Sequence, residues 1–240
     1  MNAADPVIVL RDVELAYGGL RPLRIAGFAL AARECAAITG LDAPMAEAIV
    51  NLVTGAVIPQ RGDVVVSGRR TAEIDQADDW LASLDRIGLV SARAVLLDEL
   101  TAFQNLAMAF TLSIDDVTRA VDADVRRLAD EVGLPAAVLP AAVNTLGALD
   151  VARCHLARAL ASGPAVLVCE HANALAGGDA EVFGALIARV AASRRLPVLA
   201  LTADERFARA AARRVLALEA ASGALRDRAG WRRWVRMGLW

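Results

Sequence analysis

The apolar residues in the first third of the chain alternate with polar ones or form short continuous runs, as is typical of β-strands. Residues 7–17 alternate in this way, and 23–31 and 35–39 continue in the same manner. A β-branched run over 63–67 lies between two glycines. The pattern therefore predicts a strand-rich N-terminal part.

Apolar residues at helical spacing dominate the middle of the chain. Val125, Leu128, Ala129 and Val132 recur on one face of a predicted helix over 123–132. From residue 148 to residue 219, predicted helices and strands alternate. The predicted segments are a helix over 148–160, a strand over 165–169, a helix over 180–192, a strand over 197–202, a helix over 205–212 and a strand over 215–219. This alternation indicates an α/β fold with a parallel sheet and right-handed crossovers.

The composition limits the classes of function. A chain of 240 residues can bury one sizeable core, and we expect a single large domain. Its net charge of −2 lacks the basic excess of a broad nucleic-acid surface, so no nucleic-acid partner is expected. No apolar run reaches the roughly 18 residues of a membrane helix. The N-terminus lacks the pattern of a secretory signal, and a cytoplasmic location is expected.

Hydrophobic residues make up 57% of the chain. Either partners cover part of the surface, since exposed apolar patches mark interaction sites, or the composition reflects a coding bias toward alanine. Cys35, Cys154 and Cys169 form no CxxC pair, which fits a reducing compartment. Zinc is not expected at Cys154, His155, Cys169 and His171, because these residues lie in a predicted helix and strand instead of closely spaced loop pairs.

The segment ITGLDAPMAEAIVNLVTG, residues 38–55, is arranged like the phosphate-binding loop of a nucleotide hydrolase. A buried strand leads into Gly40, and an apolar helix over 46–53 follows. A functional loop has the pattern G-x-x-x-x-G-K-[ST], in which Lys reaches the phosphates and the hydroxyl binds Mg²⁺. Here residues 45–47, Met-Ala-Glu, occupy the last three positions. On this segment alone, an ordinary β-turn-α unit is an equal alternative.

Several longer motifs resemble the ATP-binding cassette (ABC) ATPase family over about residues 7–224. DVELAYGG is similar to the strand whose aromatic residue, here Tyr17, stacks on adenine, and VLLDELTAFQNL is similar to the family's LLPxLTVxENV stretch. CHLARALASGPAVLVCEHANAL resembles the VAIARAL…PxLLLLDEPTxAL core, and LTADERFARAAARRVLALE resembles the closing THDxxxA…ADRVxxL segment.

This resemblance implies an ABC-type P-loop NTPase fold. The expected parts are a mostly parallel sheet flanked by helices, an N-terminal antiparallel β subdomain, and a helical subdomain over about 93–150. The domain is expected over 1–224, and 225–240 is expected to form a separate tail.

The departures from the family fall on positions that carry its chemistry. They are Ala46 and Glu47 for the Lys and Ser/Thr of the phosphate loop, Ala92 for the Q-loop Gln, Leu146 to Asp150 (LGALD) for the LSGGQ signature, Cys169 for the Mg²⁺-organising Asp, Ala176 for the D-loop Asp, and Ala203 for the switch His. Phosphoryl transfer relies on positioning and on electrostatic stabilisation by Lys, Mg²⁺ and oriented N–H groups. ATP and Mg²⁺ binding is therefore not expected, and the chain is interpreted as a pseudo-ATPase.

Three family positions keep their residue type: Gly40 in the loop, Tyr17 at the adenine and Glu170 at the general base. A base has nothing to activate without a metal-organised nucleotide, so Glu170 is interpreted as a carboxylate that pairs locally. Tyr17 is interpreted as a packing residue, with purine stacking as the alternative.

The resemblance also implies dimerisation, with an identical or a different ABC ATPase chain, and docking of a membrane partner's cytoplasmic helix beside the Q-loop, at about 92–110. Leu97, Leu100 and Phe103 are the apolar candidates for this contact. The chain is thus expected at the inner face of the cell membrane.

The last ten residues hold three of the four tryptophans. Written as a helix, Trp231 and Trp234 share one face, while Arg232, Arg233 and Arg236 share another. Such a tail can insert at a membrane interface, dock on a partner subunit or fold over its own core, and these three alternatives stay open.

The leading hypothesis is a non-catalytic structural or regulatory subunit of an ABC-transporter-like membrane complex, with lipid or lipoprotein transport suggested by the LTAFQN region. One alternative is a weak or unconventional ATPase that uses Tyr17 and Glu170. Another is a soluble scaffold with no transporter attached.

Overall fold

A computed structural model describes residues 5–18 and 21–227 of the chain. The strands of this part are, in chain order, β1 (Ile8–Leu15), β2 (Leu23–Leu30), β3 (Cys35–Thr39), β4 (Arg61–Val66), β5 (Arg69–Arg70), β6 (Ile87–Val90), β7 (Val166–Glu170), β8 (Val198–Leu201), β9 (Arg214–Glu219) and β10 (Ala224–Asp227). The α-helices are α1 (Ala43–Val53), α2 (Ala77–Leu84), α3 (Ala102–Ala107), α4 (Arg119–Val132), α5 (Ala148–Leu160), α6 (Ala180–Arg194) and α7 (Glu205–Ala211).

The strands form two sheets. The first is antiparallel, in the order β2-β1-β4-β5. The second has the order β10-β9-β3-β8-β7-β6, in which β10 is antiparallel to β9 and the other neighbours are parallel. The predicted parallel sheet and the predicted N-terminal antiparallel unit are both confirmed.

Neighbouring residues on the parallel strands pack into two different cores. On β7, Leu167 and Cys169 contribute to a core shared with the helices α3 to α7. Val166 and Val168 contribute to a second core, which α1 and the antiparallel sheet complete. All five residues of β7 are buried because both faces of the sheet are covered, and this explains the continuous apolar run in the sequence.

Two helices begin earlier than the apolar pattern predicted, and those predicted starts were wrong. α1 begins at Ala43 instead of residue 46, after the N-cap Asp42, and α4 begins at Arg119 instead of 123, after the N-cap Thr118. Both caps accept a hydrogen bond from a first-turn N–H, which starts the helix before its apolar face begins. The 148–160 helix was predicted with both of its boundaries.

Five elements were not predicted from the pattern: α2, α3, β5, β6 and β10. α2 buries none of its residues, so it has no apolar stripe to reveal it. The last described strand, β10, pairs with β9 and spans the boundary expected at residue 224. Within the described residues, no helix is long and apolar enough to span a membrane.

Candidate functional site

The carboxyl ends of β3, β6, β7 and β8 meet at one edge of the parallel sheet. Ligands of open α/β sheets bind outside this edge. The segments that leave it begin at Gly40 after β3, at Ser91 after β6 and at Glu170, the last residue of β7. This edge is the candidate functional site.

The turn after β3 places the carboxylate of Asp42 at the start of α1. Gly40 has a φ of 81°, which glycine adopts without strain, and the turn leads directly into the N-cap Asp42. The N–H of Met45 donates to Asp42 Oδ1 at 2.8 Å, and the N–H of Ala46 donates to the Asp42 carbonyl at 3.0 Å. Pro44 has no N–H to donate. The positive end of this helix is thus capped by a negative side chain of the same chain.

Arg93 connects two carboxylates at the same edge. Its Nε donates to Glu170 Oε2 at 2.9 Å, and its Nη1 donates to Glu47 Oε1 on α1 at 3.1 Å. Ser91 Oγ donates to the same Glu170 oxygen at 2.6 Å and accepts the Arg93 backbone N–H at 3.1 Å. We call these four residues the Arg93 network.

Burial differs across the Arg93 network. The Glu170 side chain is 7% exposed, whereas those of Arg93 and Glu47 are 43% and 48% exposed. The buried carboxylate has two donors within the chain, as a buried charge requires. The ion pair between Arg93 and Glu47 is largely in solvent and contributes little stability by itself.

Tyr17 lies beside this edge and contacts the core that α1 shares with the antiparallel sheet. Its ring lines a groove of about 240 Å³ together with Pro44, Glu47 and Asn51. Burial and, to a smaller extent, the negative charge of Asp42 raise the pKa of the Tyr17 phenol. The groove therefore combines one aromatic residue and one carboxylate with a mainly apolar lining.

The thiols near the site are protonated. Cys169 is completely buried, and burial raises its pKa far above the ordinary value, with a smaller contribution from Cys35. Burial, with a smaller effect of Asp150, raises the pKa of Cys154 to about 12. A neutral thiol is a poor ligand for a hard cation such as Mg²⁺, which prefers oxygen.

The segment Leu146 to Asp150 forms the entry to α5. Gly147 is the N-cap and provides no side-chain acceptor. Asp150 lies in the first turn, where its carboxylate forms an ion pair of 2.6 Å with Arg153. Of the single-residue family positions, Ala92 and Ala203 are exposed and Ala176 is buried.

A loop adjoining this edge, residues 94–101, exposes two apolar side chains, Val95 and Leu97, and two acidic ones, Asp98 and Glu99, on a well-bonded backbone. Val95 is 65% exposed and Leu97 is 46% exposed. The completely buried Asn105 accepts the Leu97 N–H at 2.8 Å and donates to the Leu97 carbonyl at 3.0 Å. Arg158 of α5 donates to the carbonyls of Ala94 and Val95. We call residues 94–101 the docking loop, after the partner contact that the sequence predicts for Leu97 and Leu100.

The other two predicted contact residues have different surroundings. Leu100 is half-buried, and its N–H donates to the Leu97 carbonyl at 3.1 Å. Phe103 packs partly against the core of the helices and lines a groove of about 580 Å³ with Leu139 and Pro140. The tail residues Trp231, Arg232, Arg233, Trp234 and Arg236 lie outside the described residues.

Some predicted site residues are brought together and others are not. Gly40, Glu47 and Glu170 lie at the sheet edge, with Tyr17 beside it, while Leu97 belongs to the docking loop. Sequence reasoning missed the residues that organise the site, which are Asp42, Ser91, Arg93, Asn105 and Arg158. Two signals were available: Arg93 directly follows the altered Q-loop position, and Asp42, shortly before Pro44 and the apolar helix, fits the pattern of an N-cap.

Comparison with solved structures identifies the fold. The ATP-binding cassette MJ0796, in its dimeric post-hydrolysis structure bound to ADP and Pi, superposes with a TM-score of 0.73 at 19% identity, over 92% of this chain and 98% of that one. This likeness assigns the ABC ATPase cassette fold, a P-loop NTPase fold.

Comparison with curated proteins identifies the family. The lipoprotein-releasing system ATP-binding protein LolD of Xanthomonas axonopodis pv. citri is 30% identical over 199 residues, which is 82% of this chain and 80% of that protein. The ribose import ATP-binding protein RbsA 2 of Rhizobium etli is 28% identical over 150 residues, and the match spans 27% of its length. No family model matches the chain. The chain belongs to the family of ABC transporter ATP-binding proteins.

Proposed function

We propose that this chain is a non-catalytic member of the family, a structural or regulatory subunit at the inner face of the cell membrane within an ABC-transporter-like complex. The observation that carries this proposal is the self-contained bonding at the sheet edge. There, the cation that faces the phosphate-loop helix is shared between Glu47 and Glu170, and the helix terminus is capped by Asp42.

The residues at the edge do not fit a triphosphate. Arg93 is bonded to two carboxylates, those of Glu47 and Glu170, and a third carboxylate, that of Asp42, caps the start of the same helix that carries Glu47. Two unit charges about 4 Å apart repel by about 4 kcal/mol at an effective dielectric of about 20. A phosphate in this place therefore meets repulsion, and it must also displace Asp42 from the N–H of Met45.

The residues do not fit the accompanying Mg²⁺ either. The position that organises the metal in the family is the buried, protonated Cys169. Glu170 retains the residue type of a general base, but its carboxylate is bonded to Ser91 and Arg93. We therefore derive no catalytic step through a nucleotide.

The docking loop supports the subunit role. Exposed apolar residues are a common mark of protein contacts, and Val95 and Leu97 are displayed here on a bonded backbone. We propose that a cytoplasmic segment of a membrane-embedded subunit binds at this loop. The chain pairs with a second ABC ATPase chain, identical or different, and the LolD relative suggests a lipid or lipoprotein as the transported molecule.

Titration with fluorescent ATP and Mg²⁺ tests the loss of nucleotide binding. We expect no saturable binding up to about 1 mM, the upper end of ordinary enzyme KM values. A LolD-type relative serves as the positive control. Saturable micromolar binding would overturn the proposal, and hydrolysis that disappears in Glu170→Gln would establish the weak-ATPase alternative.

Affinity purification of the tagged full-length chain from native membranes tests the complex. We expect co-purification of a membrane-embedded subunit, and the composition shows whether a second ATPase chain is present. Recovery of the chain alone would favour a soluble scaffold. The same purification without residues 229–240 tests the tail, and unchanged recovery would exclude its anchoring role.

A further inference from the structure

The segment that joins β6 to α3 is attached to four separate elements by side-chain bonds. At its start, Arg93 contacts Glu47 on α1 and Glu170 at the end of β7. In its middle, Arg158 of α5 holds the carbonyls of Ala94 and Val95. At its end, Asn105 of α3 accepts the N–H of Leu97 and donates to the Leu97 carbonyl.

The attachments through Arg158 and Asn105 are local to the helical part of the molecule. Within the described residues, the Arg93 side chain is the only one that connects the start of the loop to the edge of the parallel sheet through ion pairs. Its planar guanidinium presents several donors in a fixed arrangement, so one side chain bonds two carboxylates on different elements. Arg93 is therefore the charged cross-link between the start of the loop and the sheet edge, and it acts beside the buried Leu96, which packs in the core of the helices.

We propose that Arg93 is a positioning residue, which cross-links α1 and β7 to the docking loop and so holds Val95 and Leu97 in one orientation through the chain's own charges. This inference rests on the docking role given under the proposed function. The Arg93 network then does more than neutralise Glu170. It fixes the orientation of the partner-binding residues without any ligand bound at the sheet edge.

Hydrogen–deuterium exchange of the purified chain tests the cross-link directly. The reporting amides are those of Leu97 and Leu100, which donate to Asn105 Oδ1 and to the Leu97 carbonyl. Removing the charge-assisted bonds to the buried Glu170 in Arg93→Ala is expected to speed their exchange roughly tenfold or more. Arg93→Lys, which keeps the charge but not the two-sided fork, is expected to fall between wild type and Arg93→Ala.

Glu47→Gln provides the variant with the least risk to folding, because Glu47 is exposed and its volume is retained. Loss of one exposed ion pair is expected to speed the same amides roughly two- to fivefold. The matched control is Arg206→Ala, which removes an exposed arginine of α7 outside the network and should leave the loop unchanged. Amides of β7 and α5 report on global stability.

Unchanged exchange of Leu97 and Leu100 in both Arg93→Ala and Glu47→Gln would overturn the inference, as would an equal rise across β7 and α5. If Arg93→Ala does not fold, Glu47→Gln decides. Recovery of the membrane partner adds a readout of position: it should fall in Arg93→Ala, be partly rescued by lysine and stay normal in Arg206→Ala. Because the exchange measurement needs neither nucleotide nor partner, it can fail independently of the ATP titration.

Discussion

The sheet edge and the docking loop adjoin each other but use their polar groups in opposite ways. At the edge, charged side chains bond to one another, as in the Arg93 network, and the Asp42 carboxylate caps α1. In the docking loop, Asn105 and Arg158 bond polar groups of the backbone, and the apolar Val95 and Leu97 are exposed beside the acidic Asp98 and Glu99.

Under the proposed function, this contrast is the way in which a catalytic scaffold takes on a different role. Charged groups that neutralise each other leave little field for an anionic ligand, whereas a bonded backbone with exposed apolar side chains is suited to a protein partner. The family fold supports both arrangements, since each depends on a few side chains at loop positions. Four predictions test this contrast, from the largest expected effect on stability to the smallest.

Asn105→Ala should break the docking loop. The substitution removes a buried side chain that bonds the N–H and carbonyl of Leu97 and also the Thr101 carbonyl. We expect a loss of about 2 to 4 kcal/mol in the free energy of unfolding, because buried polar groups lose their partners. Urea denaturation measures it, with the exposed Asn144→Ala as the matched control. A loss below that of the control would contradict the role of Asn105.

Lowering the pH should reduce the free energy of unfolding through His155. This residue lies on α5, the helix whose Arg158 bonds the docking loop. Burial and, second, the charge of Arg158 lower the pKa of His155 to about 4, below the ordinary value of about 6.5. The depressed pKa means that the unfolded state binds the proton more readily. The stability contribution is therefore complete above about pH 6.5 and is lost as the pH falls toward 4.

The expected loss between pH 7.5 and pH 5 is about 2 kcal/mol in the free energy of unfolding. His155→Gln should flatten this pH dependence. His171→Gln is the matched control, since these are the two histidines of the chain. Urea denaturation at both pH values decides, and an equal slope in wild type and His155→Gln would refute the assignment.

Asp42→Ala should loosen the sheet edge. The variant removes the acceptor of the Met45 N–H, and loss of such an N-cap costs about 1 kcal/mol. Asp42→Ser keeps a capping oxygen without the charge and should recover most of the stability. Thermal denaturation measures both variants. Identical stability of alanine and serine at this position would argue against capping.

Leu97→Asp should separate docking from folding. The side chain is 46% exposed, so we expect a change in stability within about 0.5 kcal/mol. A charge at the proposed contact should abolish recovery of the membrane partner. Leu112→Asp, at a residue that is 98% exposed and outside the docking loop, is the matched control. Normal recovery of the membrane partner with Leu97→Asp would show that the partner does not bind at Leu97.

Much of the fold was predictable because its signals are local. The continuous apolar run of β7 and the helical spacing of α4 each follow from the periodicity of one element. The early starts of α1 and α4 were missed because a cap acts through one polar side chain before the apolar pattern begins. The short, exposed α2 was missed because it buries no face.

The sequence by itself determined the family scaffold and which positions of the site carry unusual residues, because motif spacing and apolar periodicity are properties of neighbouring residues. Only the tertiary structure decided what the unusual residues do. Arg93 lies 46 positions from Glu47 and 77 positions from Glu170, and the three charges meet only because β6 and β7 end, and α1 begins, at one sheet edge. Pairing over such separations is set by the packing of whole elements, which no local pattern contains.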